Sequence, residues 1–478
     1  MSVNLNLITQ YGLSPFWFIS VLLIFVPVII AVQNYLRLRH VPGPVWAQLT
    51  EFWITRKLWK GETWIDITEK LHQDYGDVVR WAPRNVLFSD PAVISTIYAT
   101  NTVWRKAKSY EPALTIINGK LADSFVTTRD ERRVSAIKRQ INSAFTAKAI
   151  SEYESHVDET IQLLTRRVSE HSPRVNLSRW LELFAFETIC QIAFSDSNFT
   201  EEDVQGTIAG IKERFNHWFW WFALPGLEKL LYRHPFVAGR MTPGLLTQRA
   251  AARVQERDAI GGVGLHKDLL ECYMRANNKV PNTFDRGTVV GMVLSTIHAG
   301  AETTASTMID TVHCLLKNPT CLATLMKELK DADLPSPPTF QSVAKLPYLE
   351  AAFKESMRLN GVSVSPLERE VPPGGAHVGG VYLPGGTSVA LNVRGLALKE
   401  DVWGPEPRQF RPERWLEADV AARAKMERAF SGFGHGKRMC IGQHIAWIEM
   451  KKAIPELLLN FDVKRPFPSS LGKANHML

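Results

Sequence analysis

The chain has 478 residues, and 56 Lys and Arg against 48 Asp and Glu give it a formal charge of +8. Apolar residues make up 45% and charged residues 22%, which excludes wholesale disorder and fibrous repeats. The positive balance includes no basic tract of the kind that binds nucleic acid, so no nucleic-acid partner is expected. Five scattered cysteines are too few for a disulfide framework and favour a reducing compartment: Cys190, Cys272, Cys314, Cys321 and Cys440.

An apolar segment opens the chain. No Asp, Glu, Lys or Arg occurs in Met1–Leu36, and Leu13–Val32 is almost wholly apolar. A helix of about twenty residues spans about 30 Å, the thickness of a bilayer core. Arg37 and Arg39 follow at once, which predicts a luminal N-terminus and a cytosolic body. A cleaved signal peptide would need a basic start and a small-residue cleavage site, and this segment has neither. We therefore predict that residues 1–40 form a single-pass anchor in membrane lipid.

The remaining residues, 41–478, show no repeat and no dividing linker, so we predict one further domain. It begins with Val41-Pro42-Gly43-Pro44, which is typical of a stiff hinge. Helical periodicity then dominates, and extended segments are few and short. The pattern predicts a mainly α fold with a small β portion. Helices are expected at 64–75, 148–170, 177–194, 283–317 and 346–359, and strands at 78–81, 86–89 and 381–391.

The strongest chemical pattern is FSGFGHGKRMCIGQHIA, at residues 430–446. Cys440 directly precedes a predicted helix, 441–459, whose dipole and free N–H groups favour a thiolate. Glycines before it let the loop approach a flat ligand closely, and Lys437 and Arg438 add positive charge. Cys440 is therefore predicted to be an anionic metal ligand, and the nearby histidines do not complete a zinc site with it. A thiol buried as a small apolar side chain would not explain the glycines and the arginine.

This segment resembles the haem-binding loop of the cytochrome P450 family. The resemblance implies that Cys440 is the axial thiolate ligand of iron in haem (heme b), a ligation that favours O–O cleavage. It also implies that Phe433 packs beside the thiolate and that Arg438 and Arg369 pair with haem propionates. Five positions at fixed spacing carry it: Phe433, Gly436, Arg438, Cys440 and Gly442.

Two departures from the family pattern stand out. Where the family has Trp and Arg for the propionates, this chain has Val134 and Lys138. Lys138 keeps the charge without the forked geometry of arginine, and Val134 has no side-chain donor, which leaves Arg132 or Arg133 as substitutes. Family members usually continue into a β hairpin that reaches the substrate pocket. The part of this chain after Val463 is shorter than that.

The predicted helix 283–317 carries polar residues in an otherwise apolar stretch. Read alone, it fits an ordinary buried helix whose hydroxyls bond to its own backbone. Its Ala-Gly-x-Glu-Thr pattern is similar to that of the family helix that crosses the distal haem face. That similarity implies an oxygen groove at Ala299 and Gly300, and proton relay to dioxygen by Glu302 and Thr303.

A second resemblance to the family concerns charge pairing. Glu355 and Arg358 lie three residues apart on the predicted helix 346–359 and can pair on one face. The resemblance implies that Glu355, Arg358 and Arg414 form a buried structural network around the haem. Removing one partner from a buried network costs about 3–5 kcal/mol.

Other segments bear on the substrate. Residues 362–367 and several positions of helix 283–317 would line a mostly apolar pocket, which disfavours sugars, nucleotides and acidic molecules and favours a lipophilic small molecule. His298 is interpreted as a core or pocket-wall side chain. The aromatic run at 215–232 fits either core packing or a segment in the membrane interface.

Electrons must come from a partner, because no phosphate-binding glycine loop follows a strand and opens a helix. Basic residues in two groups near Cys440 predict a surface that attracts an acidic, NADPH-dependent cytochrome P450 reductase. Those residues are Arg129, Arg132, Arg133, Lys138, Arg139, Lys437, Arg438, Lys451 and Lys452.

Residues 445–463 and 223–231 are similar to the pisatin-demethylase-like group of fungal microsomal enzymes, which act in secondary metabolism. We therefore predict a monooxygenase anchored in the endoplasmic reticulum that hydroxylates, epoxidises or demethylates a lipophilic natural product. Two alternatives stay open on the same scaffold: a haem isomerase or dehydratase that needs no external electrons, and a haem-binding membrane protein without activity.

Overall fold

The computed structural model describes residues 15–117, 120–122, 124–195, 201–238, 244–261, 264, 266–361 and 366–464, with side chains from residue 25 onwards. Helices dominate these ranges and the sheets are small, as the sequence predicted. Three predicted features lie wholly or partly outside the described residues: the start of the anchor at 1–14, most of the pocket segment at 362–367, and the chain end after residue 464.

Helices of the first half surround a small sheet and then build the helical core. They are α1 (Pro15–Arg37), α2 (Val45–Leu49), α3 (Phe52–Trp59), α4 (Trp64–Tyr75), α5 (Ile94–Ile97), α6 (Glu131–Ile141), α7 (Ala147–Ile150), α8 (Glu154–His171), α9 (Leu177–Phe194), α10 (Glu201–Trp221), α11 (Pro225–Leu231) and α12 (Pro235–Ala238).

Helices of the second half include the longest one, α15, which runs through the core. They are α13 (Leu245–Ala259), α14 (Leu269–Lys279), α15 (Arg286–Lys317), α16 (Pro319–Asp331), α17 (Phe340–Val343), α18 (Pro347–Leu359), α19 (Val393–Ala397), α20 (Glu400–Trp403), α21 (Arg414–Glu417), α22 (Val420–Ala429) and α23 (Gln443–Asn460).

Helix boundaries follow local capping chemistry. The side chain of Thr63 accepts a hydrogen bond from the Asp66 backbone N–H at the start of α4, and Gly76 ends that helix at a φ of +85°. Asn176 caps α9 and Asp285 caps α15 in the same way. Because these caps are local, α4 and α9 lie where the sequence predicted them.

The strands form one five-stranded sheet and two hairpins. The order in the sheet is β1-β2-β9-β6-β3, in which β2 and β9 are parallel and the other neighbours antiparallel. Pro384 and two glycines divide the strand predicted at 381–391 into two. The strands are β1 (Val78–Ala82), β2 (Asn85–Phe88), β3 (Arg105–Lys106), β4 (Thr115–Ile117), β5 (Lys120–Ala122), β6 (Arg369–Glu370), β7 (Ala376–Val378), β8 (Val381–Leu383) and β9 (Ser388–Leu391).

The aromatic run at 215–232 packs inside the fold. Phe222 is 4% exposed, and its ring centroid lies 5.4 Å from that of Trp64 and 5.7 Å from that of Trp81. Trp218 Nε1 donates to the Ser109 carbonyl oxygen at 2.7 Å. Of the two interpretations, core packing therefore holds for these side chains, which join the end of α10 to the five-stranded sheet.

Helix α1 is the structural counterpart of the predicted anchor. Its described side chains from Phe25 to Leu36 are mostly exposed and apolar, and Pro27 lies within it. Within the part of the chain that the structure describes, no helix combines the length and apolar character needed to cross a bilayer.

Candidate active site

The Cys440 loop folds tightly against the backbone of another segment. Cys440 donates its backbone N–H to the Phe433 carbonyl oxygen at 2.9 Å, and α23 starts three residues later. Gly436 has a φ of +62°, and a Cβ atom there would lie 1.5 Å from the Tyr98 carbonyl oxygen. Only glycine fits at this position, both for its left-handed conformation and for its close backbone contact.

Cys440 faces an internal space rather than bulk solvent. Its residue is exposed, yet burial in the surrounding fold raises the pKa of its thiol. A backbone hydrogen bond from Gly442 and the charge of Lys138 oppose this rise without reversing it. The predicted fall in pKa is therefore wrong for the chain alone, because desolvation outweighs both. Coordination to a metal ion deprotonates a thiol outright, so the site still suits a thiolate ligand.

Helix α15 presents a second accessible surface inside the fold. Ala299 is exposed and Thr303 is half-buried. Ile297, before them, and Ala301, between them, are buried. Thr303 Oγ1 donates to the Ala299 carbonyl oxygen at 2.6 Å. Helix α15 packs against α23, which follows Cys440. We call the space beside the Cys440 thiol and the accessible Ala299–Thr303 side of α15 the internal opening.

Gly300 does not face the internal opening. A Cβ atom at Gly300 would lie 2.6 Å from Cγ1 of Ile189 on α9. The prediction that Gly300 leaves room for a ligand beside Ala299 is therefore corrected: its small size lets α9 and α15 approach each other. The reason is helical geometry, because successive residues point about 100° apart.

Glu302 and Thr303 are adjacent in the sequence, but their side chains have different surroundings. Burial raises the pKa of Glu302, the charge of Lys212 lowers it and that of Glu182 raises it further. Lys212 and Glu182 form an ion pair at 2.7 Å, and both are partly exposed. Glu302 thus lies between a surface ion pair and Thr303, and its raised pKa favours the protonated acid.

Four cationic side chains, Lys106, Lys138, Arg369 and Arg438, form what we call the basic cluster. Burial lowers the pKa values of Lys106, Lys138 and Arg438, and neighbouring members of the cluster lower them further. Among the described carboxylates, Glu131 is the one that ion-pairs with the cluster, to Arg438 at 2.7 Å. Lys106, Lys138 and Arg369 form no ion pair with a described carboxylate, and an anionic ligand would favour their charged forms.

Backbone carbonyls hold the basic cluster in place. Arg438 donates to the carbonyl oxygens of Phe125 and Thr128, and Lys138 donates to that of Lys437 at 2.6 Å. Arg369 donates to the carbonyl oxygens of residues 367 and 368 and lies 5.0 Å from the Tyr98 ring centroid.

The sequence analysis missed Lys106 as a member of the cluster. Lys106 is 8% exposed, donates to the Val126 carbonyl oxygen at 2.7 Å and lies 4.1 Å from the Tyr110 ring centroid. Val134 is in the core, as its apolar side chain requires. Arg132 is exposed and Arg133 donates to Thr288 Oγ1, whereas Lys106 on β3 belongs to the basic cluster.

The predicted structural network is present. Glu355 is completely buried, and its carboxylate accepts hydrogen bonds from Arg358 at 2.7 Å and Arg414 at 2.8 Å. Trp415 Nε1 and the backbone N–H of Arg411 complete its coordination. The network joins α18 to the segment before the Cys440 loop.

The surface predicted to attract a reductase is smaller than the sequence indicated. Lys451 and Lys452 are buried, and they pair with Glu350 and with Glu154 and Asp158, respectively. Arg438 is also enclosed and paired, and Arg129 pairs with two glutamates. Of the nine predicted residues, Arg132 and Arg139 are exposed.

The site fits haem on three observations. Cys440 is an accessible thiol, Ala299 is a small accessible side chain on α15, and three members of the basic cluster form no ion pair with a described carboxylate, a partner that two propionates could supply. Phe433 is half-buried, with its ring centroid 5.7 Å from that of Trp447, which supports the loop from α23. Together the fold and this donor set define a haem–thiolate protein.

Comparison with known proteins gives the family. Residues 41–473 match the family model for cytochrome P450. A cytochrome P450 monooxygenase of Aspergillus terreus is 33% identical over 92% of this chain and 94% of its own length. Cytochrome P450 monooxygenase cicH of Emericella nidulans is 32% identical over 90% and 88%, and asR2 of Sarocladium schorii is 30% identical over 95% and 93%.

The chain belongs to the cytochrome P450 family and is an oxidoreductase of the monooxygenase class. The family implies haem iron with a thiolate ligand, a redox partner, a small-molecule substrate and dioxygen.

Proposed function

We propose that this monooxygenase oxidises a lipophilic small molecule of fungal secondary metabolism, with electrons that a separate NADPH-dependent reductase delivers. The observation that carries the proposal is the Cys440 thiol beside Lys138 of the basic cluster, with the accessible Ala299–Thr303 side of α15 on a helix that packs against α23. A site of this kind encloses a cofactor and leaves an apolar face for the substrate.

Residues around the internal opening would hold haem by distinct contacts. Cys440 would ligate the iron, and the basic cluster would bind the two propionates by charge-assisted hydrogen bonds. Bound there, haem would supply the activation of dioxygen. Ala299 has a side chain small enough to leave room for a bound ligand, and Phe433 would pack beside the Cys440 sulfur.

Protons would reach the internal opening along α15. Glu302 lies between the surface pair Lys212–Glu182 and the Thr303 hydroxyl, and burial keeps its acid form available at a higher pH than usual. Thr303 Oγ1 holds its own proton toward the Ala299 carbonyl oxygen, so its lone pairs can accept a proton from the Glu302 side. We assign these two residues to proton delivery.

Replacing Thr303 with alanine should uncouple electron use from product formation. Positioned acid–base groups contribute about 10²–10⁴-fold to a rate, so product per NADPH should fall several-fold while hydrogen peroxide rises. Thr303→Ser should restore coupling, and Thr307→Ala is the control because its hydroxyl makes the same bond one turn further on. Unchanged coupling in Thr303→Ala would remove Thr303 from proton delivery.

The reductase would dock on the Cys440 side of the protein. Arg132 and Arg139 are exposed on α6, whose neighbouring residue Lys138 lies close enough to Cys440 for each charge to affect the other. Exposed positive charge steers an acidic partner and makes association sensitive to salt.

We also propose that α1 anchors the protein in the endoplasmic reticulum membrane, with the catalytic body in the cytosol. Exposed apolar side chains along α1 support the proposal, and Trp46 and Trp59 beyond it are 69% and 71% exposed. Leu230 on α11 and Phe236 on α12 are exposed as well. Tryptophans and other large apolar side chains of this kind suit the interface between lipid and water.

The decisive experiment is the reduced carbon monoxide difference spectrum of carbonate-washed membranes, with wild type beside Cys440→Ala. We expect a thiolate-type Soret band in wild type and none in Cys440→Ala, because alanine has no sulfur to ligate the iron. Cys272→Ala is the matched control, since Cys272 lies on α14 away from the loop and should leave the band intact.

Other outcomes would contradict particular parts of the proposal. A band of the histidine or neutral-thiol type in wild type would overturn thiolate ligation by Cys440. Loss of the protein from washed membranes would overturn the anchor alone. Product formed without any reductase would favour the alternative of an electron-independent isomerase or dehydratase.

A further inference from the structure

Arg80 on β1 is an arginine that lies completely inside the fold, with 0% of its surface exposed. No described carboxylate forms an ion pair with it, and burial lowers its pKa to about 10, so the guanidinium group stays charged at physiological pH. A buried charge is costly unless hydrogen bonds replace the water that it has lost. The groups that accept hydrogen bonds from Arg80 therefore show what it holds.

Backbone carbonyl oxygens are those acceptors, and two of them belong to the end of α1. Arg80 donates to the carbonyl oxygen of Asn34 at 2.6 Å and to that of Tyr35 at 3.3 Å. It also donates to the carbonyl oxygens of Gln48 on α2, at 3.1 Å, and of Pro83, at 2.7 Å. The last four carbonyl groups of a helix have no partner within it, and the helix dipole attracts a cation there. Arg80 therefore caps the C-terminal end of α1.

The connection between α1 and α2 is packed into the catalytic domain as well. Leu38 and Val41 are buried, in the same core cluster as side chains of β2 and β9. The backbone N–H of Arg80 donates to the Pro42 carbonyl oxygen at 2.7 Å, and a Cβ atom at Gly43 would overlap the Arg80 carbonyl oxygen. This connection is therefore docked against β1 over its length and is not a free linker.

Two further side chains join the end of α1 to the region around the β7–β8 hairpin. Arg37, the last residue of α1, donates to the carbonyl oxygen of Gly385. Nε2 of His40 lies 2.9 Å from the carbonyl oxygen of Tyr382 on β8. Parts of the domain that are more than 300 residues apart in the chain thus hold the same short segment, with the buried arginine at its centre.

We propose that Arg80 locks the end of α1 to the catalytic domain, so that the anchor and the domain move as one body. This inference rests on the proposed function, because it takes α1 to be the membrane anchor, and it adds how the anchor is joined to the domain. A free linker would let the domain turn over the lipid surface, whereas a docked connection keeps one orientation. The exposed Trp46 and Trp59, on the two helices after the connection, would then stay at that surface.

Limited trypsin digestion of the full-length protein tests the inference, in carbonate-washed membranes and in detergent. Trypsin cleaves after Arg37 and Arg39, next to the buried Leu38, and only where the chain unfolds locally. Arg174, which is exposed in the loop between α8 and α9, gives the reference rate in the same digest. We expect wild type to be cleaved much more slowly at the end of α1 than at Arg174, as measured by mass spectrometry of the peptides.

Three variants should release the end of α1. Arg80→Met leaves buried carbonyl oxygens without a donor, so cleavage at Arg37 and Arg39 should rise about tenfold or more relative to Arg174. Arg80→Lys keeps the charge but not the forked donors, so its rate should lie between wild type and Arg80→Met. Gly43→Ala disturbs the same contact from the other side and keeps Arg80, so it tests the docking even if Arg80→Met does not fold.

Arg257→Met is the control for the loss of a buried arginine. Arg257 on α13 is 5% exposed and pairs with Asp268, which caps α14. This variant should lose stability without faster cleavage at the end of α1. Every variant is compared in samples that retain the thiolate-type Soret band, so that the catalytic domain is known to be folded.

Two outcomes would overturn the role of Arg80: rapid cleavage at the end of α1 in wild type, or equal increases in Arg80→Met and Arg257→Met. In either case a protein that stays in washed membranes and shows the Cys440-dependent band leaves the proposed function standing. A protein that resists cleavage in detergent but is lost from washed membranes would instead overturn the anchor, and with it the joint movement of anchor and domain.

Discussion

Replacing Gly436 with alanine should abolish the haem site while most of the fold persists. The added Cβ atom would lie 1.5 Å from the Tyr98 carbonyl oxygen, so either the loop or that backbone must move. Overpacking costs about 1–3 kcal/mol and sometimes more, and the left-handed conformation adds about 1–2 kcal/mol. The loop carries Cys440 four residues later, so we expect the thiolate band per mole of protein to be almost lost.

Gly434→Ala is the matched control for Gly436→Ala. Gly434 also has a positive φ, +70°, but the nearest atom to a Cβ there is Leu367 Cδ1 at 3.9 Å. The two variants therefore share the conformational cost and differ in the overlap with Tyr98. Reduced carbon monoxide spectra of both, with circular dichroism to verify folding, would measure the difference. Equal bands in the two variants would show that the close contact with Tyr98 does not fix the loop.

Replacing Glu355 with alanine should destabilise the whole catalytic domain. Its carboxylate is completely buried and holds both Arg358 and Arg414, whose side chains are 1% and 3% exposed. Without it, two guanidinium groups remain buried and lose their counter-charge, at a cost of about 3–5 kcal/mol. Domains are stable by only about 5–15 kcal/mol, so we expect a large fall in the urea midpoint and little soluble haem protein.

A partly exposed ion pair between α18 and α22 provides the control for Glu355→Ala. Glu427 is 45% exposed and pairs with Lys354 of α18 at 2.8 Å, and Lys354 keeps a second partner in Glu350. Exposed pairs contribute about 0–1 kcal/mol, so Glu427→Ala should shift the urea midpoint only slightly. If Glu355→Ala were no less stable than Glu427→Ala, the network would not hold the fold together.

Lys106 is a site residue that the sequence alone does not identify. It belongs to a two-residue strand and resembles many surface lysines in sequence, but β3 pairs with β6 next to Arg369. That pairing places Lys106 beside Tyr110 and among the other members of the basic cluster. No local pattern identifies it, because its neighbours come from a strand more than 250 residues later.

Lys451 and Lys452 show the opposite case. They look like exposed basic residues near Cys440 in the sequence, but α23 is buried along most of its length. Each lysine there needs a carboxylate, and the structure supplies Glu350 for one and Glu154 and Asp158 for the other. These ion pairs lie inside the protein, so Lys451 and Lys452 do not add positive charge to a docking surface.

Features with local chemistry could be predicted from the sequence. Caps and periodicity predicted α4 and α9, a glycine-rich loop before a helix identified Cys440, and short spacing paired Glu355 with Arg358. The burial of individual charges, the direction of Gly300 and the raised pKa of the Cys440 thiol depend on the three-dimensional fold. The physical reason is that burial and ion pairing depend on partners far away in the chain, as in the contact between Arg438 and Glu131.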